Sequence, residues 1–214
     1  MSVRVLIADD HKVVADGLWH LLAAQDDIEV VGRVGTGREA VNRAAELKPD
    51  VIVMDSNMPD LNGIEAARII RERWPDTRVL MLSVQSDPLH AVRALRAGAA
   101  GYVPKSSAGI DVVEAVRTVS AGKRYVHPSM AEAVLARLVE SAPIEDPLAR
   151  LSARERQVLQ LVVEGKGLSD IASSLSLSTR TVETYRARMM EKLGIHDVPG
   201  LVKIAILHGL TTLE

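Results

Sequence analysis

Residues 1–122 alternate between short apolar runs and helix-like segments, and this alternation restricts the possible folds more than any other feature. The apolar runs are largely continuous, which is typical of strands that are buried on both faces. Parallel strands must be joined by crossover segments, and the intervening segments have helical apolar spacing. Five strands are predicted, at Val3–Ala8, Glu29–Val34, Val51–Met54, Arg78–Ser83 and Gly101–Val103. We therefore expect an α/β domain with a five-stranded, doubly wound parallel sheet.

The strand signals stop after Gly122, and the rest of the chain has helical patterns. Ser129 and Glu132 have the spacing of a capping box and predict a helix start. Residues 141–150 contain two prolines and mixed charge, which favours a linker. A second capping box, Ser152 with Glu155, opens an all-helical tail. The predicted organisation is a first domain over 1–122, a helix and linker over 123–150, and an all-α domain over 151–214.

Composition excludes several classes of protein. The 214 residues contain no cysteine, which excludes disulfides and thiolate metal sites. Hydrophobic residues make up 47% and charged residues 25%, as in soluble globular proteins. We find no signal peptide and no apolar run that could span a membrane, so we expect a cytoplasmic protein without membrane contact. The net charge of -2 does not by itself indicate a nucleic-acid partner.

Polar residues follow several of the predicted strands, at the ends where parallel α/β sheets bind ligands. Asp9 and Asp10 follow the first strand and Asp55 follows the third. Three carboxylates in one place repel one another. A bound Mg²⁺, which prefers oxygen ligands, is the simplest way to neutralise their charge. One carboxylate could then act as a nucleophile towards a phosphoryl group. Ser83, which ends the fourth strand, and Lys105, which follows the fifth, could contact the phosphoryl oxygens.

Each of these residues also has an ordinary interpretation. Asp9 and Asp10 could cap the first helix, and Asp55 could begin an Asx-turn. The shared position of all five residues at the carboxyl ends of strands favours a site instead. Gly35–Ala40 fits the dinucleotide-binding pattern G-x-G-x-x-A. That pattern belongs after the first strand, where Asp9-Asp10 would repel a pyrophosphate, so we assign the glycines to a turn.

Leu168–Gly194 contains two helical patterns separated by a short turn, which predicts a helix-turn-helix. The first helix is expected to bury Leu168, Ile171, Ala172 and Leu175. The second begins at the cap Ser178 and is expected to bury Val182, Tyr185, Met189 and Leu193. Its opposite face offers Arg180, Thr181, Glu183, Thr184, Arg188 and Lys192. The whole segment from Thr179 to Lys192 contains four basic and two acidic residues, which suits a phosphate backbone. A helical module that binds another protein is the alternative.

The segments IADDH, VIVMDSNMPDLNG, MLS and GYVPKS resemble the receiver domain of two-component response regulators, which has a flavodoxin-like fold. The resemblance covers about the first 120 residues, in the order and spacing of the family. It implies that Asp55 accepts a phosphoryl group from a sensor histidine kinase. It implies that Mg²⁺ is held by Asp10, Asp55 and the carbonyl of Asn57, with Asp9 acting through a metal-bound water. It also implies a switch made of Ser83, Tyr102 and Lys105, in which Tyr102 moves inward on phosphorylation.

Residues 151–194 resemble the LuxR-type DNA-binding domain, and its combination with a receiver is typical of NarL/FixJ-type response regulators. The resemblance implies sequence-specific binding to double-stranded DNA as a homodimer when Asp55 is phosphorylated. Groove contacts are expected from Glu183, Thr184 and Ala187. Backbone contacts are expected from the basic and hydroxyl residues Arg180, Thr181, Arg186, Arg188 and Lys192. The last helix, Val198–His208, would dimerise through Val202, Ala205 and Ile206.

Two departures from the family limit what can be transferred. Glu183 stands where the family often has a basic residue, and a carboxylate reads cytosine rather than guanine. Ser169 replaces a lysine and removes one phosphate contact. Two alternative functions are a regulator that binds DNA without phosphorylation and an Mg²⁺-dependent phosphatase with an aspartyl nucleophile. A phosphatase of the haloacid-dehalogenase type needs an acid where this chain has Asn57, so we do not expect an enzyme.

Overall fold

The chain divides into two compact units, Met1–Ser141 and Ala142–Glu214. The computed structural model describes residues 2–85, 87–107, 109–139, 147–208 and 210–211. Within those ranges no helix combines the length and apolar character that crossing a membrane requires.

The first unit contains a parallel sheet in which the direction of strand addition changes once, between the second and third strands from one edge. Its strands are β1 (Val3–Ala8), β2 (Ile28–Val34), β3 (Val51–Asp55), β4 (Arg78–Ser83), β5 (Gly101–Pro104) and β6 (Tyr125–Val126). They lie in the order β2-β1-β3-β4-β5-β6, and every pair is parallel. The reversal between β1 and β3 is a topological switch point, where α/β sheets bind ligands.

The prediction of five strands is wrong by one, because β6 adds a sixth strand at the edge of the sheet. Tyr125 pairs with Gly101, and Val126 pairs with Tyr102. The Tyr125 amide donates to the Ala100 carbonyl at 3.1 Å. A two-residue strand is too short to show any hydrophobic period, so only its pairing with β5 reveals it.

The described residues of this unit form six helices: α1 (Lys12–Ala23), α2 (Gly37–Leu47), α3 (Gly63–Arg73), α4 (Pro88–Ala97), α5 (Gly109–Ser120) and α6 (Pro128–Val139). Helices α1 and α5 pack together, while α2, α3 and α4 form a second contiguous group. The sheet is thus covered as the doubly wound prediction requires. The predicted capping box at Ser129 and Glu132 is not formed, because α6 begins at Pro128 and His127 Nδ1 accepts the Ser129 amide at 3.3 Å. Helix α6 packs against α4 and buries Met130 and Val134.

Strand β3 is buried along its whole length, and this positions the site. Burying each large apolar side chain stabilises the fold by about 1.5–3 kcal/mol relative to leaving it exposed. Val51, Ile52, Val53 and Met54 are all buried. Together they offset the cost of placing the next residue, Asp55, in a buried position at the strand end.

The second unit is helical throughout the part that the structure describes. It consists of a short 3₁₀ helix (Pro147–Arg150), α7 (Ala153–Val163), α8 (Leu168–Leu175), α9 (Thr179–Leu193) and α10 (Val198–Leu207). The capping box of α7 is formed as predicted: the Glu155 amide donates to Ser152 Oγ, and the Ser152 amide donates to Glu155 Oε2 at 2.7 Å. The core contains the buried residues predicted for α8 and α9, namely Ile171, Ala172, Leu175, Val182 and Met189, with Leu168, Tyr185 and Leu193 packed against them.

Candidate phosphorylation site and nucleic-acid interface

The residues expected at the strand ends meet at one edge of the sheet. Asp55 ends β3 and its side chain is 4% exposed, while Asp9 directly follows β1 and is also buried. Lys105, just after β5, places Nζ 2.8 Å from Asp55 Oδ2 and 2.8 Å from Asp9 Oδ2. The Lys105 amide also donates to the Ser83 carbonyl at 2.7 Å, which fixes the start of the loop after β5.

The pocket holds more negative charge than its lysine compensates. Burial raises the pKa of the Asp55 carboxyl, and the neighbouring Asp9 carboxylate adds to this, although the Lys105 ammonium opposes both. Burial by itself lowers the pKa of Lys105, but Asp55 and Asp9 outweigh burial and raise it overall. One ammonium is therefore shared between two buried carboxylates. A further cation beside them is electrostatically favourable.

His11 joins this cluster, and the sequence analysis missed it. Its Nδ1 atom lies 3.0 Å from Asp10 Oδ1 and 3.3 Å from Asp9 Oδ1. The four side chains of Asp9, Asp10, His11 and Asp55 offer donor atoms that all lie within 4.8 Å of one another. Three carboxylates fit a hard divalent cation such as Mg²⁺, and His11 adds a nitrogen donor. Its position directly after two aspartates was the signal in the sequence.

Asn57 lies beside Asp55, as the predicted metal site requires. Its backbone amide donates to Asp55 Oδ1 at 3.3 Å. The loop closes tightly behind it, because a Cβ on Gly63 would stand 2.0 Å from the Asp55 carbonyl oxygen. The side-chain amide of Asn57 has buried oxygen and nitrogen atoms that no described residue contacts by a hydrogen bond.

The predicted switch residues Ser83 and Tyr102 are both buried. Ser83 Oγ accepts hydrogen bonds from Ser56 Oγ at 2.8 Å and from the Gln85 amide at 3.1 Å. Tyr102 Oη donates to the Gln85 carbonyl at 2.8 Å. Its ring meets the His90 ring edge-on, with 6.4 Å between centroids.

Tyr102 already packs inward in this structure, so the expected inward movement on phosphorylation does not apply to this conformation. Burial raises the pKa of the Tyr102 hydroxyl to about 12, and a hydrogen bond with Ser83 opposes that rise. The Tyr102 hydroxyl is therefore protonated at neutral pH and acts as a donor.

The glycine-rich segment from Gly35 forms a helix start, in agreement with the turn assignment. Thr36 caps α2 by accepting the Glu39 amide at 3.1 Å, and the Gly35 amide donates to Glu39 Oε2 at 3.0 Å. A Cβ on Gly37 would stand 1.9 Å from the Leu61 carbonyl oxygen. The glycine at this position thus allows α2 to approach the loop before α3.

Helix α9 has the two faces expected of a recognition helix. It is capped by Ser178, whose Oγ accepts the Thr181 amide at 3.1 Å and lies 2.7 Å from Thr181 Oγ1. The expected groove residues Glu183, Thr184 and Ala187 are exposed, as are the basic residues Arg180 and Arg188. Arg186 and Thr181 are half-buried.

Lys192 has a structural partner that sequence reasoning did not foresee. Its Nζ lies 2.7 Å and 2.9 Å from the two carboxylate oxygens of Glu155, the buried capping residue of α7. Burial tends to raise the pKa of Glu155, but hydrogen bonds from Lys192 and Ser152 outweigh burial and leave it below its usual value. In this conformation Lys192 joins α9 to α7 while its side chain stays 41% exposed, and the phosphate contact expected from its ammonium remains a prediction.

The expectation of a dimer contact from Ala205 is wrong. Ala205 is 0% exposed and belongs to the core of the second unit, because α10 packs that side against α7. Val202 and Ile206 are half-buried, and Leu207 is 67% exposed. Leu207 is an exposed apolar residue of this helix that the sequence analysis did not single out.

Comparison with known proteins assigns both parts of the chain to described families. Residues 5–117 match the family described as the response regulator receiver domain, and residues 149–205 match the luxR family of bacterial regulatory proteins. The chain belongs to the response regulators with a LuxR-type DNA-binding domain. It is 38% identical over 208 residues to the response regulator GacA of Pseudomonas viridiflava, covering 97% of both chains.

Two further relatives span almost the whole chain. The response regulator UvrY of Escherichia coli (strain K12) is 37% identical over 212 residues, which cover 99% of this chain and 97% of UvrY. A structure of the Salmonella typhimurium RcsB response regulator, solved in connection with its DNA interaction, is 27% identical with a TM-score of 0.65 and covers 98% of both chains.

Proposed function

We propose that a sensor histidine kinase phosphorylates this response regulator on Asp55, and that the modification promotes dimerisation and sequence-specific DNA binding to regulate transcription. The observation that carries the proposal is the buried Asp55 carboxylate at the end of β3, 2.8 Å from the Lys105 ammonium and beside further cation ligands. Because double-stranded DNA is the proposed target, the cytoplasm is the proposed place of action.

Asp55 is suited to act as a nucleophile towards phosphorus. One of its carboxylate oxygens forms the new O–P bond as the P–N bond of a phosphohistidine breaks, and the leaving imidazole keeps the electron pair. Lys105 compensates the phosphoryl charge, since it already lies against Asp55. Asp10, Asp55 and the Asn57 carbonyl would hold Mg²⁺, with Asp9 acting through a water. When bound, Mg²⁺ neutralises the developing charge on the phosphoryl oxygens.

The new phosphoryl group changes what Ser83 and Lys105 contact. Ser83 ends β4, and Lys105 follows β5. The Gln85 amide donates to Ser83 Oγ and the Tyr102 hydroxyl donates to the Gln85 carbonyl, so both residues are bonded to the loop after β4. A dianion on Asp55 attracts the Lys105 ammonium and the Ser83 hydroxyl, and thereby shifts the loop between β4 and α4 towards one of two arrangements.

DNA recognition is assigned to α9. Glu183, Thr184 and Ala187 are exposed on the helix that enters the major groove in this family. Arg180 and Arg188 are also exposed, and we assign them to the phosphates. The DNA interaction of the related RcsB supports DNA binding by this chain in general. The glutamate at 183 predicts that cytosine is read at one position of the site.

Intact-mass spectrometry tests the proposal directly. The full chain is incubated with Mg²⁺ and acetyl phosphate, alongside Asp55→Asn. One phosphoryl group on the parent and none on the variant is the expected result. The phosphorylated parent should then form dimers in size-exclusion chromatography and select a two-fold symmetric sequence from a random DNA pool. Equal DNA selection by the parent and by Asp55→Asn would favour the phosphorylation-independent regulator instead.

A further inference from the structure

Ser56 is a buried hydroxyl residue that neither the sequence analysis nor the proposed mechanism uses. It directly follows Asp55, is 0% exposed, and donates its hydroxyl to Ser83 Oγ at 2.8 Å. Its backbone is fixed at both polar atoms: the Ser56 amide donates to the Leu82 carbonyl at 2.8 Å, and its carbonyl accepts the Gly63 amide at 3.0 Å. The Ser56 hydroxyl therefore stands in a fixed position beside β4.

The bonds around Ser83 determine what its hydroxyl can do. A serine hydroxyl has one proton to donate and two lone pairs that accept. Two donors among the described residues reach Ser83 Oγ, the Ser56 hydroxyl at 2.8 Å and the Gln85 amide at 3.1 Å. With both lone pairs used in this way, the hydroxyl proton of Ser83 is the part that remains to bond a third group.

We propose that Ser56 is a positioning residue that orients the Ser83 hydroxyl as a donor to the phosphoryl group on Asp55; this rests on the proposed phosphorylation of Asp55. Asp55 pairs with Leu82 across β3 and β4, so Ser83 follows immediately at the same edge. Tyr102 gives its own proton to the Gln85 carbonyl, so its oxygen can accept a hydrogen bond, and Ser83 is its neighbour for that bond before phosphorylation. The phosphoryl oxygens then replace Tyr102 as the acceptor.

Removal of the Ser56 hydroxyl has a defined consequence. Ser83 would keep one donor, the Gln85 amide, and its hydroxyl could rotate to other orientations. The phosphoryl group would then lose part of one hydrogen bond. The affinity of the chain for a phosphoryl analogue should therefore fall about three- to tenfold, the size expected for one buried hydrogen bond.

The test measures the affinity of the full chain for beryllium fluoride in the presence of Mg²⁺, by fluorine NMR, with this reagent standing in for the phosphoryl group. The parent is compared with Ser56→Ala, Ser83→Ala and the double variant. Ser120→Ala is the matched control, since Ser120 bonds only within its own helix among the described contacts. We expect Ser56→Ala to weaken binding about three- to tenfold, and to have no further effect once Ser83 is alanine.

Two controls separate positioning from folding. The Mg²⁺ affinity and the thermal midpoint of Ser56→Ala should match those of Ser120→Ala. Equal beryllium fluoride affinity of Ser56→Ala and the parent would overturn the inference, and so would an undiminished loss in the Ser83→Ala background. A parent that binds no beryllium fluoride and takes no phosphoryl group would instead overturn the proposed function, and the inference with it.

Discussion

Asp55 is a carboxyl group that the folded protein holds under electrostatic strain. Burial and the nearby Asp9 raise its pKa, and Lys105 compensates only in part. A carboxyl whose folded pKa exceeds its unfolded value stabilises the fold at acidic pH, and this contribution is lost as pH rises through the folded pKa. At neutral pH the ionised Asp55 therefore destabilises the receiver domain, as is common for reactive groups.

Asp55→Asn should raise the thermal midpoint of the protein at pH 7.5 for that reason. The advantage over the parent should shrink as pH is lowered towards the ordinary carboxyl pKa of 3.8, where Asp55 becomes neutral. Calorimetry of both proteins across this pH range measures the difference. A variant that is less stable than the parent at pH 7.5 would contradict the conclusion that the ionised Asp55 destabilises the receiver domain.

His90 is a second group whose pKa the fold shifts, and it lowers stability at acidic pH rather than at neutral pH. Burial, with a smaller contribution from Arg93, lowers the pKa of His90 to about 4, while Asp87 opposes this. Its Nε2 atom has no hydrogen-bond partner among the described residues. A histidine with a lowered folded pKa stabilises the fold above its ordinary pKa, and stability is lost as pH falls towards the folded value.

His90→Leu should therefore remove part of the acid sensitivity of the receiver domain. Between pH 6.5 and pH 4 the parent should lose a few kcal/mol more of unfolding free energy than the variant. Urea unfolding at both pH values measures this. His20→Gln, a change at an exposed histidine of α1, is the control and should behave as the parent does. Equal acid sensitivity in all three proteins would count against the buried neutral state of His90.

At the scale of elements, α9 combines a packing face with an exposed surface that we propose contacts DNA. Val182 and Met189 are fully buried, while Arg180 and Arg188 are exposed. Lys192 is 41% exposed but is paired with the buried Glu155, so its charge serves the contact between α9 and α7. The basic residues of this helix thus differ in their partners, which charge counting along the sequence does not show.

Lys192→Met and Arg188→Ala should show the consequence of this difference. Lys192→Met leaves Glu155 without its ion-pair partner, and should lower the unfolding free energy by about 1–2 kcal/mol, allowing for the partial exposure of the lysine. Arg188→Ala should change stability by less than about 0.5 kcal/mol, but should reduce the slope of log affinity for DNA against log salt by about one. Urea unfolding and DNA titrations at several salt concentrations measure both. Similar stability losses in the two variants would refute the distinction.

At the scale of the whole molecule, a receiver domain is joined to a LuxR-type DNA-binding domain. The receiver domain contains Asp55, the proposed site of phosphorylation. The two domains are coupled only if the phosphorylated and the unphosphorylated receiver differ in how strongly they favour dimerisation and DNA binding by the second domain. Dimerisation on DNA is the proposed output, and α10 carries the exposed Leu207 and the half-buried Val202 and Ile206.

Leu207→Glu should weaken binding to DNA with two half-sites about tenfold or more, because a buried dimer contact would acquire a charge. Binding to a single half-site should be unchanged. Ala205→Leu should act differently, because it overpacks the core and should lower the unfolding free energy by about 1–3 kcal/mol. Gel-shift titrations on both DNAs, with urea unfolding, distinguish the two effects. Equal weakening on both DNAs by Leu207→Glu would rule out its role in dimerisation.

The sequence by itself determined the architecture and most of the pocket. Continuous apolar runs separated by helical spacing require parallel strands with crossovers, and the carboxyl ends of such strands converge. The meeting of Asp9, Asp55 and Lys105 at one edge of the sheet therefore follows from their places along the chain. The helix-turn-helix was predicted for a similar reason, since α8 and α9 show their buried faces through local spacing and a cap at Ser178.

Other long-range side-chain pairs are visible only in the tertiary structure. The Ser56 and Ser83 hydroxyls are 27 residues apart, and Lys192 is 37 residues from Glu155. The two-residue strand β6 and the burial of Ala205 likewise depend on partners elsewhere in the chain. Local periodicity shows which face of an element is buried, but the partner of a polar group is set by packing geometry, and that geometry exists only in the folded protein.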